Sequence, residues 1–114
     1  MSRNESSNAL YLYLTTVGRV TRLPREIEIW FVESKGSLYV LAEHFLDAQW
    51  VRNILENPRV RVRLEDQTFE ATARVLDEQA DREAWITAQQ RAREKYGWGD
   101  GLPVEIVRDT GAKT

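Results

Sequence analysis

The sequence predicts a mainly β protein, a small antiparallel barrel of six strands with two helices. Apolar and polar residues alternate with a period of two in several short segments, which is typical of strands. Short turns join most of these segments, so neighbouring strands should run antiparallel. Only two segments have helical spacing, and they do not alternate regularly with strands as in a parallel nucleotide-binding sheet. Short strands of this kind favour a barrel whose helices cover an end or an open seam.

The first three strands come before any helix. Leu10, Leu12 and Leu14 alternate with Tyr11 and Tyr13 in the first strand. A loop at 17–24 holds Gly18 and Pro24, and in the second strand isoleucines alternate with Glu and Trp. Ser34-Lys35-Gly36-Ser37 predicts a hairpin turn, because Gly accepts the dihedral angles that a tight turn needs. The predicted strands occupy residues 9–16, 25–33, 38–43, 59–64, 68–76 and 102–107.

The predicted order is β-β-β-α-β-β-α-β. Leu46, Trp50 and Ile54 have helical spacing, with Asp47 as a first-turn acid or N-cap and Asn57-Pro58 as the stop. A second helix over 77–96 carries one narrow apolar stripe that includes Trp85, which we expect in the core. Between the helices, Arg59, Arg61 and Arg63 line one face of a strand; cross-strand pairing is favoured over an anionic partner.

The chain has 114 residues, the length of one domain. We expect that domain at 9–108, with flexible ends at 1–8 and 109–114. No apolar run approaches the ~18 residues of a membrane span. The first eight residues lack the apolar stretch of a signal peptide, so we expect a cytoplasmic protein without a membrane span. The net charge of −2 argues against a nucleic-acid-binding surface.

Reactive side chains are scarce. The chain has no Cys and a single His, His44. This excludes disulfides, thiol catalysis, Cys-based zinc or iron–sulfur ligation and any multi-His metal site, so we expect no metal. Redox or group-transfer chemistry would need reactive atoms from a bound molecule.

Residues 15–25 carry three arginines and no acid, although the protein is net negative. Thr hydroxyls, backbone N–H groups and guanidinium forks together form an anion site. This interpretation predicts a pocket for a phosphorylated ligand. The alternative is a hairpin whose arginines are solvated or paired with Glu26, Glu28 or Glu33.

This segment also resembles a known family. The motif T-T-x-G-R-x-[ST]-G-x-P-R is matched at Thr15, Thr16, Gly18, Arg19, Thr21, Pro24 and Arg25. With Trp30-Phe31-Val32, Trp50, Leu55 to Pro58 and Val60 to Val62, the segment resembles the deazaflavin (F-420)-dependent nitroreductase and quinone reductase family. That family belongs to the split-barrel flavoproteins, which include the pyridoxamine-phosphate oxidases. The similarity runs from about residue 10 to 76.

The resemblance implies a split β-barrel and a homodimer. It also implies an oxidoreductase that passes a hydride from a reduced deazaflavin, or from flavin mononucleotide (FMN) as the alternative, to a small organic acceptor. That acceptor would be a nitro compound, a quinone or an activated double bond. The ligand would be a phosphorylated, flavin-like molecule, with Arg25 as a phosphate contact. The expected cofactor-binding residues are Thr15, Thr16, Gly18, Arg19, Arg22, Arg25, Ala42, Glu43, His44 and Trp50.

The sequence departs from the family at three places. Val20 stands where the family usually has Lys, and Arg22 stands where it usually has Gly. Glu43-His44-Phe45 replaces a Ser-Lys-Gly-Gly loop, so His44 takes a Lys position. An imidazole is mostly neutral near pH 7 and would substitute only weakly for that Lys, whereas Arg22 could compensate. Apart from contacting a ligand, His44 could be a plain surface residue, a catalytic acid or a metal ligand.

The aromatic residues leave alternatives open. Trp50 either walls the cofactor or packs in the core, and Trp30 leaves the core for a groove or a subunit interface. Tyr96 and Trp98 are the candidate catalytic residues, because in the family the C-terminal region often closes over the substrate and supplies a Tyr. The alternative is a plain helix end with left-handed glycines. Besides an enzyme, the residues allow a non-catalytic flavin- or deazaflavin-binding or carrier module, or a structural domain that only dimerises.

Overall fold

A computed structural model, which describes residues 9–109, forms a closed barrel with strand order β1-β2-β3-β6-β5-β4. All pairs of neighbouring strands are antiparallel. The strands are β1 (Tyr11–Val17), β2 (Pro24–Ser34), β3 (Ser37–Ala42), β4 (Arg59–Leu64), β5 (Gln67–Val75) and β6 (Leu102–Arg108). The helices are α1 (Gln49–Glu56) and α2 (Arg82–Tyr96). The predicted fold class and element order are therefore confirmed.

The predicted flexible ends lie outside the described residues, except for Asp109. Asp109 donates its backbone N–H to Glu70 O at 3.0 Å, and its carboxylate pairs with Arg59 at 3.0 Å.

Strand alternation fills the barrel interior. Leu12, Leu14 and Thr16 of β1 are fully buried, and Val60 and Val62 of β4 face the same core. The intervening side chains point outward, as a period of two requires. On the outer face the arginine row is paired with acids, as predicted: Arg61 meets Glu70 at 2.7 Å, Arg63 meets Glu26 at 3.3 Å, and Arg59 meets Asp109.

Strand β2 changes its partner halfway. Residues 24–30 pair with β1, whereas residues 31–34 pair with β3. The β2–β3 ladder ends at Phe31↔Val40, and β3 continues to Ala42 paired with β6 alone. A gap therefore opens between the first half of β2 and the end of β3.

Both helices begin later than the sequence pattern indicates. Leu46 is 55% exposed and lies in a 3-10 turn, Phe45–Asp47, rather than in α1. Phe45 is left-handed with φ 51° and Ala48 is extended, so the helix cannot propagate through them. The prediction that Leu46 belongs to this helix is therefore wrong. Asp47 lies in the 3-10 turn, so it neither caps α1 nor lies in its first turn, and it pairs with Arg52 at 3.4 Å.

Residues 77–81 form a turn instead of the first part of α2. The Asp77 carboxylate accepts hydrogen bonds from the backbone N–H groups of Gln79 and Ala80, at 3.0 and 2.8 Å. A short acidic side chain competes with helical hydrogen bonding in this way. From Arg82 onward, α2 packs against β2, β3 and β6. Trp85 is buried in the cluster between this helix and the barrel, as predicted for a core residue.

Candidate functional site

The β1–β2 loop folds back on Gly18. Gly18 donates its N–H to Leu23 O at 2.8 Å, and its own carbonyl accepts the Arg22 N–H at 2.8 Å. A Cβ at Gly18 would lie 2.8 Å from Thr21 Oγ1, so this position has no room for a side chain. Arg22 is left-handed, with φ 64°, a conformation that a non-glycine residue adopts at a cost.

Arg19 is fixed to helix α1 by neutral groups. Its Nη2 donates to Gln49 Oε1 at 2.7 Å and its Nη1 donates to Asn53 Oδ1 at 3.0 Å, while its backbone N–H also reaches Asn53 Oδ1 at 3.2 Å. The Asn53 amide in turn donates to Thr16 Oγ1 at 3.1 Å. Thr16 therefore acts beneath the loop as an anchor for Asn53. The guanidinium is held in place and keeps its full charge.

A groove of about 530 Å³ lies beside this loop and is called here the basic groove. Among the residues described, no side-chain hydrogen bond or ion pair is made by Arg25, and Glu26, the one acid in the lining, pairs outward with Arg63. Arg19 and Arg25 thus present two uncompensated guanidiniums, the donors that bind phosphate best. The lining consists of Gly18, Arg19, Val20, Thr21, Arg25, Glu26, Ile27, Gln49, Trp50 and Asn53.

A second groove, of about 730 Å³, occupies the gap between β2 and β3 and is called here the aromatic groove. Three indoles line it, from β2, from α1 and from the loop before β6. Its volume lies within the range of about 300–1,000 Å³ usual for small-molecule sites. Ile27 and Trp50 line both grooves, which therefore adjoin and form one cleft. The lining consists of Ile27, Glu28, Ile29, Trp30, Leu41, Glu43, His44, Ala48, Trp50 and Trp98.

The Tyr96 hydroxyl is occupied by the main chain. It accepts the Phe31 N–H at 3.1 Å and lies within donor distance of Leu10 O at 2.6 Å and Phe31 O at 2.8 Å. Burial raises the pKa of this phenol. Burial also lowers the pKa of the neighbouring Lys95, whose Nζ donates to Phe31 O at 3.0 Å. The end of α2 is thereby fastened to β2 at the point where that strand changes partners.

Trp30 and Trp98 are set by contacts near this point. The Trp30 and Tyr96 rings stack with centroids 4.3 Å apart and 4° between their planes, which leaves Trp30 48% exposed. Trp98 lies against Gly101, where a Cβ would be 2.7 Å from Trp98 Cη2 and 2.9 Å from Ala42 O. The glycine therefore lets the indole approach β3 and reach the aromatic groove.

The cleft gathers seven of the predicted site residues: Gly18, Arg19, Arg25, Glu43, His44, Trp50 and Trp98. Thr15, Thr16, Arg22, Ala42 and Tyr96 line neither groove; Thr16 and Ala42 are buried, and the exposed Arg22 lies on the loop outside the lining. Sequence reasoning missed Gln49 and Asn53. Asn53 is a polar residue on the buried side of an amphipathic helix, which is the signal that could have found it.

The residues present fit a phosphorylated flat coenzyme. The basic groove offers two guanidiniums that are paired with no carboxylate among the described residues, and the adjoining indoles offer faces against which a fused ring can stack. Within residues 9–109, no group of three or more His, Cys, Asp or Glu is placed to hold a metal ion. Over the same residues, no helix is both long and apolar enough to cross a membrane.

Comparisons with solved structures support the fold. The chain aligns with the heme storage protein HutZ from Vibrio cholerae at a TM-score of 0.73 and 22% identity, over 91% of this chain and 84% of HutZ. It aligns with an F420-H2 dependent reductase, FDR-A, at a TM-score of 0.61 and 26% identity, over 86% and 93% of the two chains. A third match, described as a domain-swapped dimer, has a TM-score of 0.61 and 28% identity, over 86% and 79%.

A family comparison reaches beyond the fold. The model of the F420H(2)-dependent quinone reductase family matches residues 5–114, which is nearly the whole chain. This agrees with the motif in the β1–β2 loop and with the deazaflavin coenzyme that the motif implies. The chain belongs to the F420H(2)-dependent quinone reductase family.

Proposed function

We propose that the protein is an oxidoreductase that binds the deazaflavin coenzyme F-420 in the cleft and reduces a flat organic acceptor. The observation that carries the proposal is that the two grooves adjoin at Trp50, with the guanidiniums of Arg19 and Arg25 on one side and indoles on the other. When bound, the reduced coenzyme supplies a hydride. FMN is the alternative coenzyme, since it too combines a phosphate with a flat ring.

The side chains divide the work between binding and orientation. Arg25 and Arg19 bind the phosphate, and Gln49 and Asn53 hold the Arg19 fork at a fixed angle. Trp50 stands where the two grooves meet and limits the position of the ring system. Correct placement of two reacting molecules accounts for much of the rate gain in such reactions. The acceptor, a quinone, nitro compound or activated double bond, enters through the aromatic groove.

Titration of the purified protein with F-420 and with FMN, followed by Trp fluorescence, tests the proposal. Arg25→Ala should weaken coenzyme binding roughly 10-fold to 100-fold, because a hydrogen bond to a charged group contributes about 1.5–3 kcal/mol. The matched control is Arg91→Ala, which removes an exposed arginine outside both grooves and should leave the affinity unchanged. No binding of either coenzyme at ~100 μM would refute the proposal, since that is weaker than about −5.5 kcal/mol.

A non-catalytic carrier of the same coenzyme is the second candidate. It is favoured by the Tyr96 hydroxyl, which is bonded to the main chain and does not reach the aromatic groove. Turnover of a quinone or nitroarene with reduced coenzyme separates the two functions: oxidation of the coenzyme in proportion to protein supports the enzyme, and tight binding without oxidation supports the carrier.

A cytoplasmic homodimer is part of the same proposal. The relative described as a domain-swapped dimer supports self-association, as does the exposed aromatic surface of Tyr11 and Trp30. Light scattering, measured as the protein elutes from a size-exclusion column, should give a molar mass twice that of the 13.3 kDa chain. A mass of one chain at micromolar concentration would contradict the dimer.

A further inference from the structure

The rim of the aromatic groove is acidic, in contrast to the basic groove beside it. Its described lining contains two carboxylates, Glu28 and Glu43, the imidazole of His44, and neither Lys nor Arg. The Glu43 side chain is 74% exposed, and its carboxylate lies 4.0 Å from His44 Nε2. Glu28 stands opposite Tyr13 on β1, whose phenol pKa is raised by desolvation and, to a smaller extent, by Tyr11 and by the Glu28 carboxylate. The described lining of the groove therefore contains two acidic side chains and no Lys or Arg to balance them.

The indoles of this groove, like the carboxylates, favour a positively charged ligand. Trp30, Trp50 and Trp98 come from three different elements and converge on one space. The face of an indole ring is electron-rich and attracts a cation within about 6 Å, in addition to stacking against flat rings. Nearby Arg63 does not balance the groove carboxylates, because it pairs with Glu26 and covers the Tyr13 ring at 4.0 Å. Aromatic faces together with carboxylates form a recognition set for a flat organic cation.

We propose that the aromatic groove selects cationic flat acceptors over neutral and anionic acceptors of the same size. The reaction named in this inference rests on the proposed function, whereas the selectivity rests only on the residues that line the groove. Hydride uptake converts a cation A⁺ into neutral AH: one C–H bond of the reduced deazaflavin breaks with its electron pair, one new bond to hydrogen forms on the acceptor, and the coenzyme releases one N–H proton to the solvent as it becomes oxidised. A quinone needs a proton as well, whereas a cation needs none.

This chemistry agrees with the groups around the groove. The phenol of Tyr96, whose ring stacks on the groove residue Trp30, is already bonded to Phe31 and Leu10. A cationic acceptor places no demand on it, because the transferred hydride alone completes the reduction. The product is neutral and loses its attraction to Glu28 and Glu43, which favours its release.

Three phenazines of nearly equal size test the selectivity: N-methylphenazinium as the cation, phenazine as the neutral compound and phenazine-1-carboxylate as the anion. Each is titrated into the coenzyme-free protein at low salt and pH 8, and binding is followed by Trp quenching. We expect the cation to bind about tenfold more tightly than the anion, with phenazine between them. High salt should reduce the difference. Equal affinity for the three compounds would overturn the proposal.

The Glu28→Gln, Glu43→Gln double variant locates the effect. Both side chains are exposed, so the fold should persist, which circular dichroism checks. The cation-to-anion preference should fall to about twofold or less, as expected when two exposed carboxylates are removed. A preference that stays tenfold in this variant would refute the assignment to these residues.

The two tests use different ligands, so they can fail separately. Arg91→Ala, which removes an exposed arginine outside both grooves, is the charge control and should leave the order of phenazine affinities unchanged. If neither coenzyme binds but the cation preference is present, the proposed function fails and the selectivity of the groove stands. If the coenzyme binds and the preference is absent, this inference fails alone.

Discussion

Asn53 connects the barrel core to the β1–β2 loop, and its replacement by Ala tests that connection. The side chain is 5% exposed and makes three hydrogen bonds: one to the Thr16 hydroxyl, one to the Arg19 backbone and one to the Arg19 guanidinium. Asn53→Ala removes all three. It also deprives the fully buried Thr16 hydroxyl of its donor.

The expected loss follows from these bonds. Each hydrogen bond contributes about 0.5–1.5 kcal/mol net, with the two to the half-exposed Arg19 at the lower end. The greater helix propensity of Ala returns roughly 0.5 kcal/mol. The bond to Thr16 counts at about 1–3 kcal/mol instead, because its loss leaves a buried hydroxyl unsatisfied. Together these terms should lower the free energy of unfolding by about 2–3 kcal/mol. For a domain of about 100 residues this lowers Tm by roughly 10–20 °C.

Urea unfolding followed by circular dichroism measures the loss, with Arg52→Ala as the control. Arg52 lies on the same helix as Asn53 and makes an exposed ion pair with Asp47. Its replacement by Ala should lower the free energy of unfolding by less than about 1 kcal/mol. A double-mutant cycle with Thr16→Val isolates the bond between Asn53 and Thr16. A loss under about 0.5 kcal/mol for Asn53→Ala, or effects that add to within about 0.3 kcal/mol in the cycle, would refute the reasoning.

Three further predictions concern the loop, a glycine contact and a phenol. Arg22→Gly should raise the free energy of unfolding by about 0.5–1 kcal/mol in urea, because Arg22 holds φ 64°; a decrease would contradict the strain. Gly101→Ala should lower it by about 1–3 kcal/mol and shift Trp98 fluorescence, since the new Cβ meets Trp98 and Ala42; an unchanged spectrum would argue against that contact. Burial raises the pKa of Tyr96 above 10.0, so its contribution is complete below pH 10 and is lost as pH rises further. Tyr96→Phe should flatten this alkaline decline in stability, and an equally steep decline would show that the phenol plays no part.

The regular strands could be predicted because their pattern is purely local. The alternation of Val60 and Val62 with arginines sets both faces of β4, and the bounds of that strand match the prediction. The helix starts could not be predicted as well. The left-handed Phe45 and the Asp77 turn depend on backbone angles and local hydrogen bonds that compete with helical periodicity.

The cleft could be predicted only in part. The loop motif predicted an anion site with Arg19 and Arg25, because guanidiniums bind anions in any fold, and the two residues do line one groove. The gap between β2 and β3 arises because β2 pairs with β1 along its first half and with β3 along its second half. No residue pattern within β2 indicates this change of partner. Tyr96 fastens the end of α2 to β2 beside this gap through a hydrogen bond with Phe31, which lies 65 residues earlier in the chain. Tertiary contacts of this kind leave no periodic signal.

The position of β6, the last of the described strands, has a consequence for folding. The cleft is complete only when Trp98, from the loop before β6, meets the groove walls of β2 and α1, and β6 is the strand that closes the barrel between β3 and β5. Pairings such as Leu38↔Ile106 join distant parts of the chain, and the entropy cost of closing so long a loop leads us to expect that they form late. We therefore expect the cleft to become able to bind a ligand only when β6 pairs. A ligand of the cleft should slow global unfolding, and it should give no protection to partly folded chains that lack β6.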